Sequence, residues 1–243
     1  MTTPIVSCRG IEKWYSGVHA LKQVSIDIRA GEAVGLVGDN GAGKSTLINI
    51  LSGVAMADDG EIFFEGAKAR ITCPRDAMKL GIETIYQYNS MVPCMSIARN
   101  LFISREPLKF RIGRFGVIDI KKMREESMQA IANVDLHLRT PDALVGELSG
   151  GQRQGVAIAR AMYFKSKLMI LDEPTNHLSV KETNKVLGFV QSLRKQGITS
   201  IFISHNIPHV FACCDRIVAM ARGEIVLDKP VGETSMDEIL EVL

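Results

Sequence analysis

The segment Ala33-Val-Gly-Leu-Val37 runs directly into Gly38-Asp-Asn-Gly-Ala-Gly43-Lys44-Ser45-Thr46. The first stretch has the length and the apolar character of a buried strand, and Lys44 to Leu51 has the pattern of a helix with Gly53 just past its end. The glycine-rich turn between them fits G-x-x-x-x-G-K-[ST], a pattern that requires a strand before it and a helix after it. These residues predict a phosphate-binding loop within an α/β fold.

The residue types of this loop suit a bound nucleotide. Glycines let backbone N–H groups wrap the phosphates without a β-carbon in the way, and the helix N-terminus adds positive potential. Lys44 supplies a point charge for the outer phosphates, and the hydroxyl of Ser45 can bind Mg²⁺. We therefore expect the nucleotide to be bound by Gly38, Asn40, Gly41, Gly43, Lys44, Ser45 and Thr46.

Two acidic residues end another apolar stretch, Leu168-Met-Ile-Leu-Asp172-Glu173. Carboxylates at the carboxyl end of a buried parallel strand point into the ligand crevice of an open sheet. Asp172 can hold Mg²⁺, directly or through water, and Glu173 can face an attacking water instead. Taken alone, two acids that end a strand at the surface are the simpler interpretation. The phosphate-binding loop favours the functional one.

A second glycine-rich helix start occurs at Leu148-Ser149-Gly150-Gly151-Gln152. It predicts a second anion site, although a plain Ser-Gly-Gly helix cap is the alternative for this segment alone. One nucleotide does not need two such loops from one chain. We therefore expect the second loop to serve the nucleotide of another subunit, in a head-to-tail dimer with two-fold symmetry.

The order of strands and helices predicts the fold class. Short apolar strands alternate with helices, which indicates an α/β fold, a P-loop NTPase core with a mainly parallel sheet. Residues 1–30 show the alternation of an antiparallel β sub-domain, and 89–154 form an inserted helical sub-domain. Within the insertion, Arg105 to Arg114 is predicted to be an exposed loop. The core then comprises 31–88 and 155–243, and the whole of 1–243 is a single domain.

Composition excludes several classes of protein. The 243 residues are 46% apolar and 23% charged, which is ordinary for a globular chain. The formal charge of +2 gives no support for nucleic-acid binding. Five cysteines without a CxxC pair fit a reducing compartment, and we expect neither zinc nor disulfides. No signal peptide and no apolar run of membrane-spanning length is recognised.

Together these segments resemble the ATP-binding subunit of ABC transporters over nearly the whole chain. Residues 38–46 are similar to the Walker A motif and 168–173 to Walker B, and Leu148–Gln152 matches the LSGGQ signature in full. The resemblance implies ATP and Mg²⁺ as ligands. It also implies that Ser149, Gly150, Gly151 and Gln152 contact the ATP of the partner chain.

The resemblance implies roles for four further positions. Gln87 sits where the family's Q-loop joins the core to the helical sub-domain, and it would contact ATP and the metal. Glu173 would be the general base or would orient water, and His205 would bind the γ-phosphate, so that these two and Lys44 form the catalytic set. Tyr15, 23 residues before Gly38, lies where the family stacks an aromatic ring on adenine. Trp14 is a competing candidate for that stack.

One segment departs from the family pattern. After Walker B the family often has two small residues, Leu and then Asp, whereas this chain has Asn176-His177-Leu178-Ser179. Ser179 is followed by Glu182 at the spacing of a capping box, so it is predicted to cap a helix. The missing Asp affects how this loop couples two sites across a dimer and leaves the phosphate-binding residues intact.

The sequence is most similar to carbohydrate-import ATPases, which serve ribose-, fructose- or inositol-type sugars. This likeness implies a homodimer, or a dimer with a related ATPase, peripheral on the cytoplasmic face of the inner membrane. Its partners would be transmembrane permease subunits and, indirectly, an extracytoplasmic solute-binding protein, with no nucleic acid. The alternatives are a soluble ABC-type switch acting on nucleic acid or ribosomes, and a small-molecule P-loop kinase. The kinase would leave the signature at 148–152 unexplained. The segments that carry the likeness are Lys13–Leu21, Gly38–Gly41, Asn100–Glu106 and Ala161–Phe164.

Overall fold

The computed structural model describes residues 3–86, 91–113, 115–134, 136–176 and 178–243. They form two compact units, one built from 1–87 with 166–243 and the other from 88–165. Among the described residues, no helix combines the length and the apolar character needed to cross a bilayer.

The helices and strands have the following bounds. The strands are β1 (Val6–Tyr15), β2 (Val18–Ile28), β3 (Ala33–Val37), β4 (Asp59–Phe64), β5 (Ala67–Ala69), β6 (Ile82–Ile85), β7 (Leu108–Ile112), β8 (Phe115–Ile118), β9 (Leu168–Asp172), β10 (Thr199–Ile203), β11 (Arg216–Ala221) and β12 (Glu224–Pro230). The α-helices are α1 (Lys44–Leu51), α2 (Pro74–Leu80), α3 (Ile97–Phe102), α4 (Ile120–Ala132), α5 (Gly150–Tyr163), α6 (Val180–Lys195), α7 (Ile207–Cys213) and α8 (Met236–Val242).

A six-stranded sheet is the centre of the first unit. Its order is β12-β11-β3-β10-β9-β6, and every neighbouring pair is parallel except β11 with β12. All residues of β3 and β10 are buried, as expected for strands covered on both faces. Because β3, β9 and β10 are parallel neighbours in this sheet, their carboxyl ends meet at one edge. That edge carries the predicted phosphate-binding loop and both acidic residues.

The first unit also contains a four-stranded antiparallel sheet of order β2-β1-β4-β5. It extends beyond the predicted first 30 residues, because β4 and β5, which we assigned to the core segment 31–88, pair with β1. In β4 the side chains of Ile62 and Phe64 are buried, and Phe64 lies opposite Val6 of β1. The apolar side chains of β4 are therefore buried against the N-terminal strands.

The second unit is mainly helical and differs from the prediction in two places. Helix α5 is continuous from Gly150 to Tyr163 and packs with α3 and α4, so this unit extends past the predicted boundary at residue 154. The prediction of a loop from Arg105 to Arg114 is wrong, because Leu108–Ile112 pairs with Phe115–Ile118 as an antiparallel hairpin. The predicted exposure is confirmed for residues 108–113, whereas Arg105, Glu106 and Pro107 are only partly exposed.

Candidate functional site

The phosphate-binding loop leaves the carboxyl end of β3 and leads into α1, as the sequence predicts. A β-carbon built on Gly38 would lie 2.3 Å from the carbonyl oxygen of Met220, and one on Gly43 would lie 2.8 Å from that of Ala20. Gly43 also has a φ of 105° at the start of α1. Only glycine fits these positions, and the chain uses them to bring backbone N–H groups around an open turn.

Lys44 is buried at the centre of this loop. Its Nζ donates hydrogen bonds to the carbonyl oxygens of Gly38 at 2.6 Å and Asp39 at 2.9 Å. Burial lowers the pKa of Lys44, although the negative charges of Glu173, Asp172 and Asp39 oppose that shift. The loop therefore contains a poorly hydrated cation next to acidic groups, which suits a phosphate that carries several negative charges.

Asp172 ends β9 at the same edge of the sheet. Burial and then the neighbouring charge of Glu173 raise its pKa, while Lys44 lowers it. The electrostatic interaction with Lys44 places this carboxylate beside the phosphate-binding loop. Ser45, one residue after Lys44, is exposed. A hydroxyl and a carboxylate are oxygen donors of the kind that Mg²⁺ prefers, so these two residues fit the implied metal.

Glu173 and His205 form a close pair. The Oε1 atom of Glu173 accepts a hydrogen bond from the backbone N–H of His205 at 3.0 Å and lies 3.0 Å from its Nδ1. The pairing of Asp172 with Ile203 across β9 and β10 brings the two residues together. Glu173 adopts a φ of 47°, unusual for a residue with a side chain. Its Oε2 is buried and has no hydrogen-bond partner among the described residues.

A cavity of about 550 Å³ lies against the phosphate-binding loop. Its lining includes His19, whose ring stacks on that of Trp14 with centroids 3.8 Å apart and planes 9° apart. Tyr15 and Trp14 are 45% and 47% exposed, and neither is among the described residues that line the cavity. Sequence reasoning missed His19, because its place beside the loop comes from the close approach of β2 to Gly43, where a β-carbon would lie 2.8 Å from the carbonyl oxygen of Ala20. The described lining residues are Val18, His19, Ala20, Lys22, Asn40, Gly41, Ala42, Gly43, Lys44, Ser45, Thr46 and Arg222.

The second glycine-rich loop begins helix α5 in the helical unit. Ser149 is the N-cap, and its Oγ accepts a hydrogen bond from the backbone N–H of Gln152 at 3.2 Å. The Oε1 of Gln152 in turn accepts from the backbone N–H of Ser149 at 2.9 Å. Ser149 and Gly150 are exposed. Two hydrogen bonds between Ser149 and Gln152 therefore fix the loop, and the side chain of Gln152 accepts one of them.

The remaining predicted positions have different outcomes. Gln87 lies outside the described residues, and so does His177 of the segment that departs from the family pattern. Ser179 caps α6 through a complete capping box with Glu182, as its spacing predicts.

A parallel sheet with a glycine-rich loop, a buried lysine and acidic strand ends at one edge defines a P-loop nucleotide-binding protein. Comparison with known proteins identifies the family within this class. The sequence profile of the ABC transporter family matches residues 21–176. A xylose/arabinose import ATP-binding protein of Sulfolobus acidocaldarius is 43% identical over 239 residues, which span 98% of this chain and 93% of that protein. The chain belongs to the ABC transporter family.

Two further comparisons agree. A fructose import ATP-binding protein of Rhizobium meliloti is 43% identical over 217 residues, covering 88% of this chain and 84% of that protein. The solved dimeric structure of MJ0796, a bacterial ABC transporter cassette, matches with a TM-score of 0.78 and 25% identity, covering 93% of this chain and 98% of that one. The predicted fold class and the resemblance to ABC transporter ATP-binding subunits are confirmed.

Proposed function

We propose that this chain is the ATP-hydrolysing motor subunit of a membrane importer for a sugar or polyol. The observation that carries the proposal is the Glu173 carboxylate, which His205 holds beside a phosphate-binding loop with a buried Lys44. The relatives named as xylose/arabinose and fructose import proteins support a sugar as the transported solute. ATP binding closes a head-to-tail dimer and hydrolysis reopens it, and this motion drives the transmembrane partner.

Each catalytic residue has a role that its surroundings support. Lys44 and the backbone N–H groups of the loop bind the outer phosphates of ATP. Glu173 accepts a proton from the attacking water, a role that the family resemblance implies and that suits a carboxylate whose Oε2 receives no hydrogen bond from any described residue. His205 orients Glu173 through Oε1 and contacts the γ-phosphate with its largely exposed ring.

Mg²⁺, held by Ser45, Asp172 and Gln87, would neutralise charge on the phosphate oxygens. The purine base stacks near the mouth of the cavity, where Trp14 and Tyr15 are the two aromatic candidates. Tyr15 stays our prediction from the family resemblance, and the stacked Trp14–His19 pair supports the competing candidate.

The partner subunit completes the site. Ser149, Gly150, Gly151 and Gln152 of one chain reach the ATP bound by the other, with Gln152 acting mainly by holding Ser149 in place. The dimeric MJ0796 cassette supports pairing of such subunits. We propose a homodimer, or a dimer with a related ATPase.

The dimer would sit peripherally on the cytoplasmic face of the inner membrane. There it would contact permease subunits directly and an extracytoplasmic solute-binding protein only through them. The alternative of a switch acting on nucleic acid or ribosomes has no support in a formal charge of +2 or in relatives named as import proteins.

The Glu173→Gln variant tests the hydrolytic role. It keeps the size of the side chain and one oxygen that can accept the hydrogen bond from His205, but it cannot accept a proton, so ATP turnover should fall about 10²–10⁴-fold while ATP binding persists. Turnover is measured by phosphate release and binding by equilibrium dialysis. Glu233→Gln, at an exposed position of the same unit, is the matched control and should behave as wild type. Near-normal turnover in Glu173→Gln would remove this residue from the mechanism.

A further inference from the structure

The hairpin formed by β7 and β8 carries apolar side chains that are exposed to solvent and do not pack in the hydrophobic core. Phe110 is 56% exposed, Ile112 73% and Phe115 84%. The register pairs Phe110 with Val117 and Ile112 with Phe115, so these four side chains lie on one face of the ribbon. Contiguous exposed apolar faces of this kind mark interaction sites.

Basic residues alternate with the apolar ones along β7. Lys109 and Arg111 flank Phe110, and both are exposed. Neither forms an ion pair with any other described residue, although Arg111 donates from Nε to the carbonyl oxygen of Gly113 at 3.1 Å. The lysines that follow in α4, Lys121 and Lys122, add little to this charge, because each is ion-paired one turn along the helix, with Glu125 at 3.9 Å and Glu126 at 3.8 Å. The cationic and apolar character is therefore confined to the hairpin itself.

Neither a hydrophobic core within the hairpin nor burial by the rest of the helical unit explains these exposed apolar side chains. A two-stranded hairpin gains little stability in water on its own, so these side chains cannot be explained as a core of their own. Nor are they buried by the rest of the helical unit, because every described residue of both strands is exposed. Leu108 is partly accounted for, since it lies over Gly116 on the other face.

We propose that this hairpin docks on an anionic phospholipid surface. The apolar face of Phe110, Ile112, Phe115 and Val117 would enter the boundary between headgroups and acyl chains, which accepts amphipathic elements to a depth of about 5–10 Å. Lys109 and Arg111 would meet lipid phosphates, to which their charge is complementary. A water-soluble protein partner would bury the apolar face but gives no reason for unpaired cations on both sides of Phe110.

This contact goes beyond the transport proposal, because a permease could hold the motor subunit without any lipid. It would give the subunit a second attachment, and two weak attachments together strengthen binding by raising the effective concentration. It concerns only the hairpin, so hydrolysis in solution does not depend on it.

Flotation of the purified full-length chain with vesicles tests the proposal. Vesicles of phosphatidylcholine alone are compared with vesicles that contain about 30 mol% phosphatidylglycerol. We expect the chain to float with the anionic vesicles only. Raising the salt from about 0.1 M to 0.5 M should weaken binding, since charge attraction is screened.

Variants separate the two contributions. Phe115→Ser should lower binding about tenfold or more, because a buried phenyl ring is lost. Lys109→Gln and Arg111→Gln should each lower it about fivefold. The control is Val180→Ser, at a position 79% exposed on α6, which should bind as wild type. All variants should keep the ATP turnover of the wild type, which separates this test from that of the transport proposal.

Three results would overturn the proposal. The first is a wild-type chain that stays at the bottom of the gradient with anionic vesicles. The second is a Phe115→Ser chain that floats as well as wild type. The third is capture of the chain by its permease in detergent, free of phospholipid, that is abolished by Phe115→Ser. That third result would make the permease the occupant of this face.

Discussion

Two helices of this chain begin at a glycine-rich turn, and the two turns are built differently. At the start of α1 the N-cap is Gly43, which has no side chain to occupy the first N–H groups, and Lys44 lies buried within the loop. At the start of α5 the cap is Ser149, whose side chain bonds to the N–H of Gln152, and the loop is exposed. The first is a complete anion cradle with its own cation, and the second is a rigid partial one. This combination suits a nucleotide that two chains bind together, because one chain supplies the complete site and the other supplies the partial one.

Lys44→Ala should have the largest effect. It removes the buried cation of the complete cradle, so ATP binding and turnover should both fall by at least about 100-fold. Isothermal titration with ATP and a phosphate-release assay measure the two losses. Lys79→Ala, at an exposed lysine on α2, is the control and should leave both unchanged. Retained affinity would show that the backbone N–H groups suffice for the cradle.

The Ser149→Ala variant should distinguish the roles of the two glycine-rich turns. Since the loop of α5 contributes to the site only through the dimer, the isolated chain should bind ATP as wild type while turnover falls about tenfold, the effect of losing one cap and its contacts. Gln152→Glu keeps the capping box but brings a negative charge to the loop that reaches the partner's ATP, so its turnover should fall as well. Ser235→Ala, which removes the N-cap of α8, controls for a general loss of helix stability. Weaker ATP binding by monomeric Ser149→Ala would contradict the assignment.

The two aromatic candidates differ in their surroundings, and affinity for ATP distinguishes them. Stacking of a base on an aromatic ring contributes about 1–3 kcal/mol, so removing the ring that stacks should weaken ATP binding about tenfold. Because Trp14 is stacked on cavity-lining His19, the geometry favours a larger effect of Trp14→Ala, whereas the family resemblance favours Tyr15→Ala. If both variants bind ATP with the affinity of the wild type, neither ring contacts the base.

Asp172→Asn should have a small effect on stability, with a sign set by the raised pKa of this carboxyl. Burial and Glu173 disfavour the ionised form, so ionised Asp172 opposes folding above that raised pKa, and the penalty disappears as the pH falls through it. The variant should melt at a higher temperature than wild type near about pH 8, and the difference should shrink toward about pH 4. Calorimetry without nucleotide measures both. A lower melting temperature at the higher pH would show that Lys44 depends on this charge.

Local patterns predicted much of this molecule. The spacing of Gly38 to Thr46 located the phosphate-binding loop, and the capping residue Ser179 located the start of α6. These signals are local because a cap or a loop is decided by residues a few positions apart. The residues themselves indicated Glu173, whereas His205 was implied only by the family resemblance. Their hydrogen bond was not predicted, because it depends on the pairing of β9 with β10.

Non-local pairing limited the rest. The joining of β4 to β1 depends on partners more than 50 residues apart, such as Val6 and Phe64. The hairpin was interpreted as a loop because Pro107, Gly113 and several basic residues suggested one. The alternation of Lys109, Phe110, Arg111 and Ile112 is the signal that could have revealed a strand.

The most direct test of the shared-nucleotide account is sedimentation velocity of the Glu173→Gln chain with Mg²⁺ and ATP. Because this variant should bind ATP without turning it over, it should sediment as a dimer with ATP and as a monomer without it. Adding Ser149→Arg, which fills the exposed loop of α5, should return it to a monomer while ATP binding persists. A chain that remains monomeric at saturating ATP, or a dimer that tolerates Ser149→Arg, would contradict the account.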